Sequence, residues 1–318
     1  MNFFRRHKNK FIGLGIVSAI GAGGIYLLNK YVDHKLSEAK EAENKQLTKQ
    51  KQFETTGKIA EKTLENSLFP ALKKTLDQVF DTEHTLKVLK TDLKNLEVWQ
   101  QLKNQVFAKC SALIFCCVLL ENLVKIQLQI LAGYNVQNNN QISSKTQETF
   151  LNLCQIFVDK TVKNWAENEM KIELILEDLT DLTQVLSVTK IYEIFQEISK
   201  SFKLNFCSLL VKGNDLKWEE LTKEESNSLK ALIMDLMDLI EHKDFESVTD
   251  FGLNSNLTHF LDQIAEELNT EIFVETKGLP LAKWIPKLDK TYNSFEPKPN
   301  SKLQIFQGNI FESFCLKQ

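Results

Sequence analysis

Leu96 opens a run in which Trp99, Leu102, Val106, Cys110, Leu113, Cys117, Leu120, Val124, Leu128 and Leu131 recur at spacings of three and four. That period belongs to an α-helix, and it predicts one continuous helix of about 35 residues ending near Gly133. No other pattern in the chain is as long or as regular. Between Cys110 and Leu120 it carries no charge. The interval is too short for a membrane span, and Glu121 and Lys125 interrupt its continuation, so the helix is expected to lie buried among others. Only 11 glycines and 5 prolines occur in 318 residues. Sandwiches and barrels need turn residues far more often, so the chain reads as all-α, a large bundle built on long helices.

The rest of the sequence fills in that bundle. Pro70 predicts a kink or break early on. Asn135–Ser144 reads as a polar loop, followed by helices at about 145–175, 177–203, 219–242 and 255–269. In LEDLTDLTQVL, helical spacing puts Leu176, Leu179, Leu182 and Leu186 on one face and Asp178 and Asp181 on the other. LIMDLMDLIEHKDFE repeats the theme, with Asp235, Asp238 and Glu241 expected on a solvated face. Glu275–Pro299 holds four of the five prolines and is expected to be irregular, ending in an extended PKPN.

Little here points to catalysis. The five histidines are scattered, with no second His or Cys one helical turn away, so no zinc or di-iron pattern appears. There is no phosphate-cradling GxxxxGK[ST] and no GxSxG elbow. A net charge of −3 gives no global field for nucleic acid. The chain is read as a non-enzyme with no cofactor, no metal, no nucleic-acid partner and no small-molecule substrate. Six cysteines show no CxxC spacing, and Cys110, Cys116, Cys117 and Cys154 lie within apolar runs, as free thiols of a reducing compartment do. Asn256-Leu257-Thr258 matches a glycosylation sequon, which carries no meaning in a cytosolic domain.

The amino terminus reads as an address and an anchor. FFRRHKNK supplies the basic residues Arg5, Arg6, Lys8 and Lys10, and Phe11–Leu28 follows without a charge. As a helix that stretch covers about 27 Å, enough for a thin bilayer. Its glycines are tolerated in membrane helices, and Tyr26 and Tyr31 fall at the far interface. A cleaved signal would carry a shorter apolar core and a mature domain after it. Here the chain continues as a charged, helical spacer instead. The organisation read from this is a basic targeting tail over 1–10, a single transmembrane helix over 11–28, a spacer over 29–58 and a helical bundle over 59–318. Orientation stays open on these grounds: the basic tail favours the tail in the cytosol, whereas the unpaired cysteines favour the bundle there.

Several stretches, in a constant order, resemble the peroxin-3 family, membrane-anchored docking receptors of peroxisomal membrane-protein import. They are FFRRHKNK with its glycine-rich span and Lys30-Tyr31, QFE (Gln52–Glu54), SLFPALKKTL (Ser67–Leu76), NLEVWQQLK (Asn95–Lys103), VKIQLQILAGY (Val124–Tyr134) and GLPLAKWIPKL (Gly278–Leu288). Between Asn135 and Lys277 the likeness is only diffusely helical, and the tail after Leu288 is shorter and more polar than the family pattern.

The resemblance implies a protein of the peroxisomal membrane, spanning it once, with the amino terminus in the matrix and the helical bundle in the cytosol. It implies a partner, peroxin-19, whose amphipathic amino-terminal helix enters a hydrophobic groove at the membrane-distal end of the bundle. The family's groove tryptophan and leucine match Trp99 and Leu102, and its groove lysine matches Lys283. A further leucine and lysine fall on Leu89 and Lys90, and another family lysine aligns with Asn95, a departure. Periodicity alone would make Trp99 a core residue; the resemblance makes it an anchor point for the partner. A different role for the same architecture is a membrane-anchored tether recruiting organelle-inheritance, motility or autophagy adaptors.

Overall fold

The computed structural model describes residues 51, 55–137, 142–167, 169–179, 181–201, 216, 218–269 and 278–315. The basic tail and apolar span expected over 1–28, and the spacer up to residue 50, lie outside them.

The predicted central helix is present and longer than its apolar stripe. α3, Leu96–Gln137, runs for 42 residues, and nearly every side chain from Leu102 to Ala132 is buried. By length and composition it passes as a membrane span, yet its most apolar window is wholly buried inside the bundle. A helix apolar all round is what the centre of a large helical protein requires.

Around it pack α1 (Phe69–Val79), α2 (Thr82–Thr91), α4 (Ser144–Leu151), α5 (Leu153–Glu167), α6 (Glu169–Ile175), α7 (Val188–Ser201), α8 (Lys223–Ile240), α9 (Lys243–Asn269), α10 (Leu281–Ser294) and α11 (Ser301–Cys315). The break expected at Pro70 takes the form of a π-helical turn, Leu64–Leu68, with the proline in the first turn of α1. There its missing N–H costs nothing. Thr222 and Glu225 form a reciprocal capping box that starts α8.

The buried charged residues of α3 are ties rather than blemishes. Lys125 pairs with Glu121 at 2.7 Å, and the Asn300 backbone N–H donates to the same carboxylate at 3.3 Å. Lys109 reaches Asp77 at 2.8 Å and lies 4.3 Å from the centre of the Tyr292 ring. Each buried charge therefore meets a partner from another helix or one turn away, as burial demands. Phe107, Phe195, Phe260 and Phe295 stack in sequence at 5.4, 5.9 and 5.4 Å, joining α3, α7 and α9 to the segment after α10. Gly252, midway along α9, sits against this frame so closely that a Cβ would meet Asn300 Nδ2 at 2.7 Å and Val118 Cγ1 at 2.8 Å.

Four expectations are corrected. LEDLTDLTQVL is not helical: the preceding helix ends at Ile175, and Leu176–Asp178 form a turn. Asp181 accepts from both the backbone N–H and hydroxyl of Thr183 at 2.8 and 2.7 Å, closing a turn. Strand β1 (Val185–Leu186) then pairs antiparallel with β2 (Leu279–Pro280) in a two-residue ribbon. Leu176, Leu179 and Leu186 are buried all the same, so their burial was readable but not their geometry. Asp235 is buried, not solvated, and accepts a 2.7 Å hydrogen bond from the Tyr134 hydroxyl. The proline-rich stretch contains a regular helix, α10, which accommodates Pro286 at an exposed position; PKPN after it has no regular secondary structure. Finally, α9 begins at Lys243 rather than near 255.

The sequon asparagine is part of the core. Asn256 is fully buried, its amide donating to the Gly252 and Lys298 carbonyls while its oxygen accepts from the Lys298 N–H.

Candidate docking surface

One end of the bundle is built by the α2–α3 corner. α2 starts at Asp81, whose carboxylate accepts from the His84 N–H at 2.9 Å, an N-cap. Its inner face carries Thr82, Thr85 and Leu89, all buried, and Thr85 donates to Gln105 of α3 at 2.7 Å. Its outer face carries Lys87, Val88 and Lys90. The helix ends at Asp92, and Asp92 Oδ1 accepts from the Lys94 N–H at 3.1 Å to turn the chain. Asn95 then caps α3, its side-chain oxygen accepting from the Val98 N–H at 3.2 Å.

Trp99 completes the corner. Its indole N–H donates to the Leu93 carbonyl at 3.1 Å, so the ring pins the turn that joins the two helices. The ring is half-buried and rests against the core. Within the turn, Leu93 is 67 % exposed and Leu96, one helical turn before Trp99, is 57 % exposed. Val88, at 40 %, lies on the same corner. Large aliphatic side chains this exposed, beside a tryptophan, make this corner a candidate docking surface.

Lys103 stabilises the corner from below. It is almost fully buried and donates to the Leu176 and Leu179 carbonyls at 3.0 and 2.9 Å, capping the end of α6. Burial lowers its pKa, and the nearby Glu173 opposes that shift. The chain next passes to Gln184 and Leu182, whose carbonyls receive the first N–H groups of α10, from Leu281 and Ala282. Gly278, at φ +71°, makes the entry possible: a Cβ there would lie 2.5 Å from the Leu186 carbonyl oxygen. Trp284 locks the same entry, its indole donating to the Leu186 carbonyl at 3.0 Å. Further along, the Leu288 carbonyl meets Cys110 Sγ at 3.6 Å. Lys283, earlier on α10, is exposed.

Of the residues singled out from sequence, Trp99 and Asn95 are half-buried, Lys90 and Lys283 are exposed, and Leu89 and Leu102 are in the core. Leu102, 1 % exposed, underlies the surface instead of forming it. Asn95 is committed to capping its own helix. The exposed apolar residues are instead Val88, Leu93 and Leu96, which sequence reading missed. Leu96 was counted into the core stripe because its spacing fits, although the first turn of a helix can overhang the core. Leu93 carried a readable signal: a leucine flanked by Asp92, Lys94 and Asn95 has no reason to sit in a turn unless it packs or binds. Lys87, Lys90 and Lys94, with Asp92 and Glu97 between and after them, are exposed around this corner, Lys283 is exposed on α10, and none of the four lysines is held in an ion pair among the described residues. The surface therefore offers apolar anchors among exposed lysines, an arrangement that can seat an amphipathic segment.

No family model matches the chain. It is similar along its whole length to known proteins nonetheless. It is 25 % identical to Peroxisomal biogenesis factor 3 of Rattus norvegicus, covering 100 % of this chain and 97 % of that protein. The identity and coverage are the same for the Homo sapiens protein of that name. Peroxisome biogenesis protein 3-2 of Arabidopsis thaliana is 23 % identical, over 96 % of this chain and 93 % of its own length.

Proposed function

The chain belongs to the peroxin-3 family and acts in peroxisome biogenesis, and on that premise we propose that it is the docking receptor for peroxin-19 at the peroxisomal membrane. The observation that carries this reading is the α2–α3 corner: a half-buried tryptophan, three exposed aliphatic side chains and unpaired lysines. An amphipathic helix of peroxin-19, the chaperone of newly made membrane proteins, lays its apolar anchors against Val88, Leu93, Leu96 and the edge of Trp99. Lys90 and Lys283, with Lys87 and Lys94, steer its acidic flank and fix its register. Trp99 enters the encounter already oriented, because its N–H is spent on Leu93. Little rotamer entropy is then lost on binding.

In the same reading the basic tail, residues 1–10, faces the matrix, residues 11–28 span the membrane, and 29–58 lead to the cytosolic bundle. Protease treatment of intact organelles is expected to shield only about the first 30 residues, the length of tail plus span; a shielded carboxy-terminal bundle would reverse this topology.

The docking assignment is tested by titrating the amino-terminal peptide of peroxin-19 into the chain with and without Trp99→Ala, alongside thermal unfolding. Loss of an aromatic hot spot costs about 2–4 kcal/mol of binding. Unchanged affinity would remove Trp99 from the site. A collapse in melting temperature accompanying lost binding would make it a scaffold residue only.

A further inference from the structure

On another face of the bundle, α7 and α9 run antiparallel and are tied at one level. The Tyr192 hydroxyl and the Gln196 amide both approach Asn254 Oδ1, at 3.5 and 3.4 Å. Beyond that tie, towards Lys200 and the α8–α9 corner at His242, a cleft of about 730 Å³ separates them. That volume lies within the roughly 300–1,000 Å³ range of pockets that seat a ligand. Its floor is α3, through Ile114, Phe115 and Leu119, and Leu253 lines the α9 wall.

Two features mark it as built for an occupant. Ser111, 1 % exposed, lines the floor with a hydroxyl that has no hydrogen-bond partner among the described residues. A buried hydroxyl left unpaired is costly, and helical serines ordinarily bond back to their own chain. The rim is the second feature. Glu241, Glu246 and Asp250 are exposed and make no ion pair among the described residues, and Glu246 and Asp250 stand one turn apart along α9. Lys200, on the α7 side, Lys243 and the His242 imidazole are the cleft's bases, and Lys302 lines a neighbouring hollow with Glu246 and Asp250.

We propose that this cleft is a second docking site, for an amphipathic helix of another protein that places aliphatic side chains over Ile114, Phe115 and Leu119 and a basic flank against Glu246 and Asp250. An acyl chain with an anionic head fits the floor but not the α9 edge, where Glu246 and Asp250 stand one turn apart. The charge demand is opposite to that proposed for the Trp99 corner, where lysines steer the partner. Two partners of opposite flank charge can therefore be held at once, sorted by sign.

The probe is a fluorescent helical peptide of leucine and lysine with leucines along one face, and the control is the same peptide with glutamate for lysine. The full chain, carrying Trp99→Ala to silence the first corner, is held in nanodiscs of neutral lipid, and binding to empty nanodiscs is subtracted. The lysine peptide is expected to bind saturably, at least tenfold more tightly than the glutamate peptide. Glu246→Lys with Asp250→Lys is expected to weaken it at least fivefold. Ser199→Trp, which fills the mouth of the cleft, is expected to weaken it at least tenfold, with melting temperatures preserved. Equal binding of both peptides, or affinity untouched by the charge-reversed pair, overturns the proposal. So does a concentration-dependent dimer that Ser199→Trp dissolves, which would give the cleft to a second copy of the chain.

Discussion

Replacing Leu93 and Leu96 together by alanine separates binding from folding more cleanly than any change at Trp99. Fully burying a leucine side chain is worth about 1.5–3 kcal/mol. Leu93 is 67 % exposed and Leu96 57 %. Scaling by those fractions leaves about 1–2 and about 0.9–1.7 kcal/mol still to be gained when a partner covers them. Alanine keeps one of the four side-chain carbons, so the double variant forfeits about three quarters of the sum, roughly 1.4–2.8 kcal/mol. At 1.4 kcal/mol per decade, affinity for the peroxin-19 amino-terminal peptide should fall about tenfold to a hundredfold. Folding should barely notice: exposed substitutions stay within about 0.5 kcal/mol, a melting shift of about 1 °C for a chain of this size. Calorimetric titration gives the first number and a thermal scan the second. An affinity unchanged within twofold, in protein that Trp99→Ala does disable, would show that the partner grips the indole without touching the ridge beside it. The reasoning from exposure would then be wrong.

Lys103→Met removes both donors that cap the end of α6 while leaving the Leu176 and Leu179 carbonyls buried. A loss of about 1–3 kcal/mol in unfolding free energy is expected, read by denaturant titration. Burial lowers the folded-state pKa of Lys103 below its usual 10.5, so above neutral pH the unfolded chain keeps this proton longer than the folded one. Wild-type stability relative to Lys103→Met should therefore rise with pH between the lowered value and 10.5. A flat difference would show that the charge is paired more fully than its two carbonyl bonds imply. Gly252→Ala gains helix propensity but drives a methyl into Asn300 and Val118, so the melting temperature should drop by about 2–6 °C; a rise would mean that Asn300 yields freely. Cys110, Cys116, Cys117 and Cys154 are buried with thiols pushed up by that burial. With Cys207→Ser and Cys315→Ser in place, native protein should resist a thiol-exchange dye until denatured.

What the sequence disclosed follows from which forces are local. α3 was legible because a helix buried on every side needs an apolar residue at nearly every turn, and that leaves a long periodic trace. The 176–186 segment misled because Leu176, Leu179, Leu182 and Leu186 have helical spacing, whereas the Asp181–Thr183 turn and the pairing of Leu186 with Leu279 decide its shape. That pairing joins residues far apart in sequence. Asp235 could not have been assigned to the core without Tyr134, which lies on a different helix. α10 was hidden by proline count, although the first turns of a helix and an exposed face both accommodate proline. At the docking corner the chemistry was visible only in part. NLEVWQQLK drew attention to Trp99, but periodicity is blind to how far a helix extends past its neighbours, and that overhang is what leaves Leu96 outside and Leu102 within.

The uninterrupted α3 also fixes a distance. Glu61, Leu64 and Glu65, where the chain arrives from its amino-terminal segment, share a cavity with Cys117, Glu121 and Lys125 midway along the helix. From Trp99 to Glu121 the axis climbs about 33 Å at 1.5 Å per residue. A rod enclosed on all sides cannot bend without opening the core it fills. The Trp99 corner is thus held at a constant standoff from the level where the entering chain packs on α3. The bundle behaves as a davit, presenting that corner at arm's length from its own base.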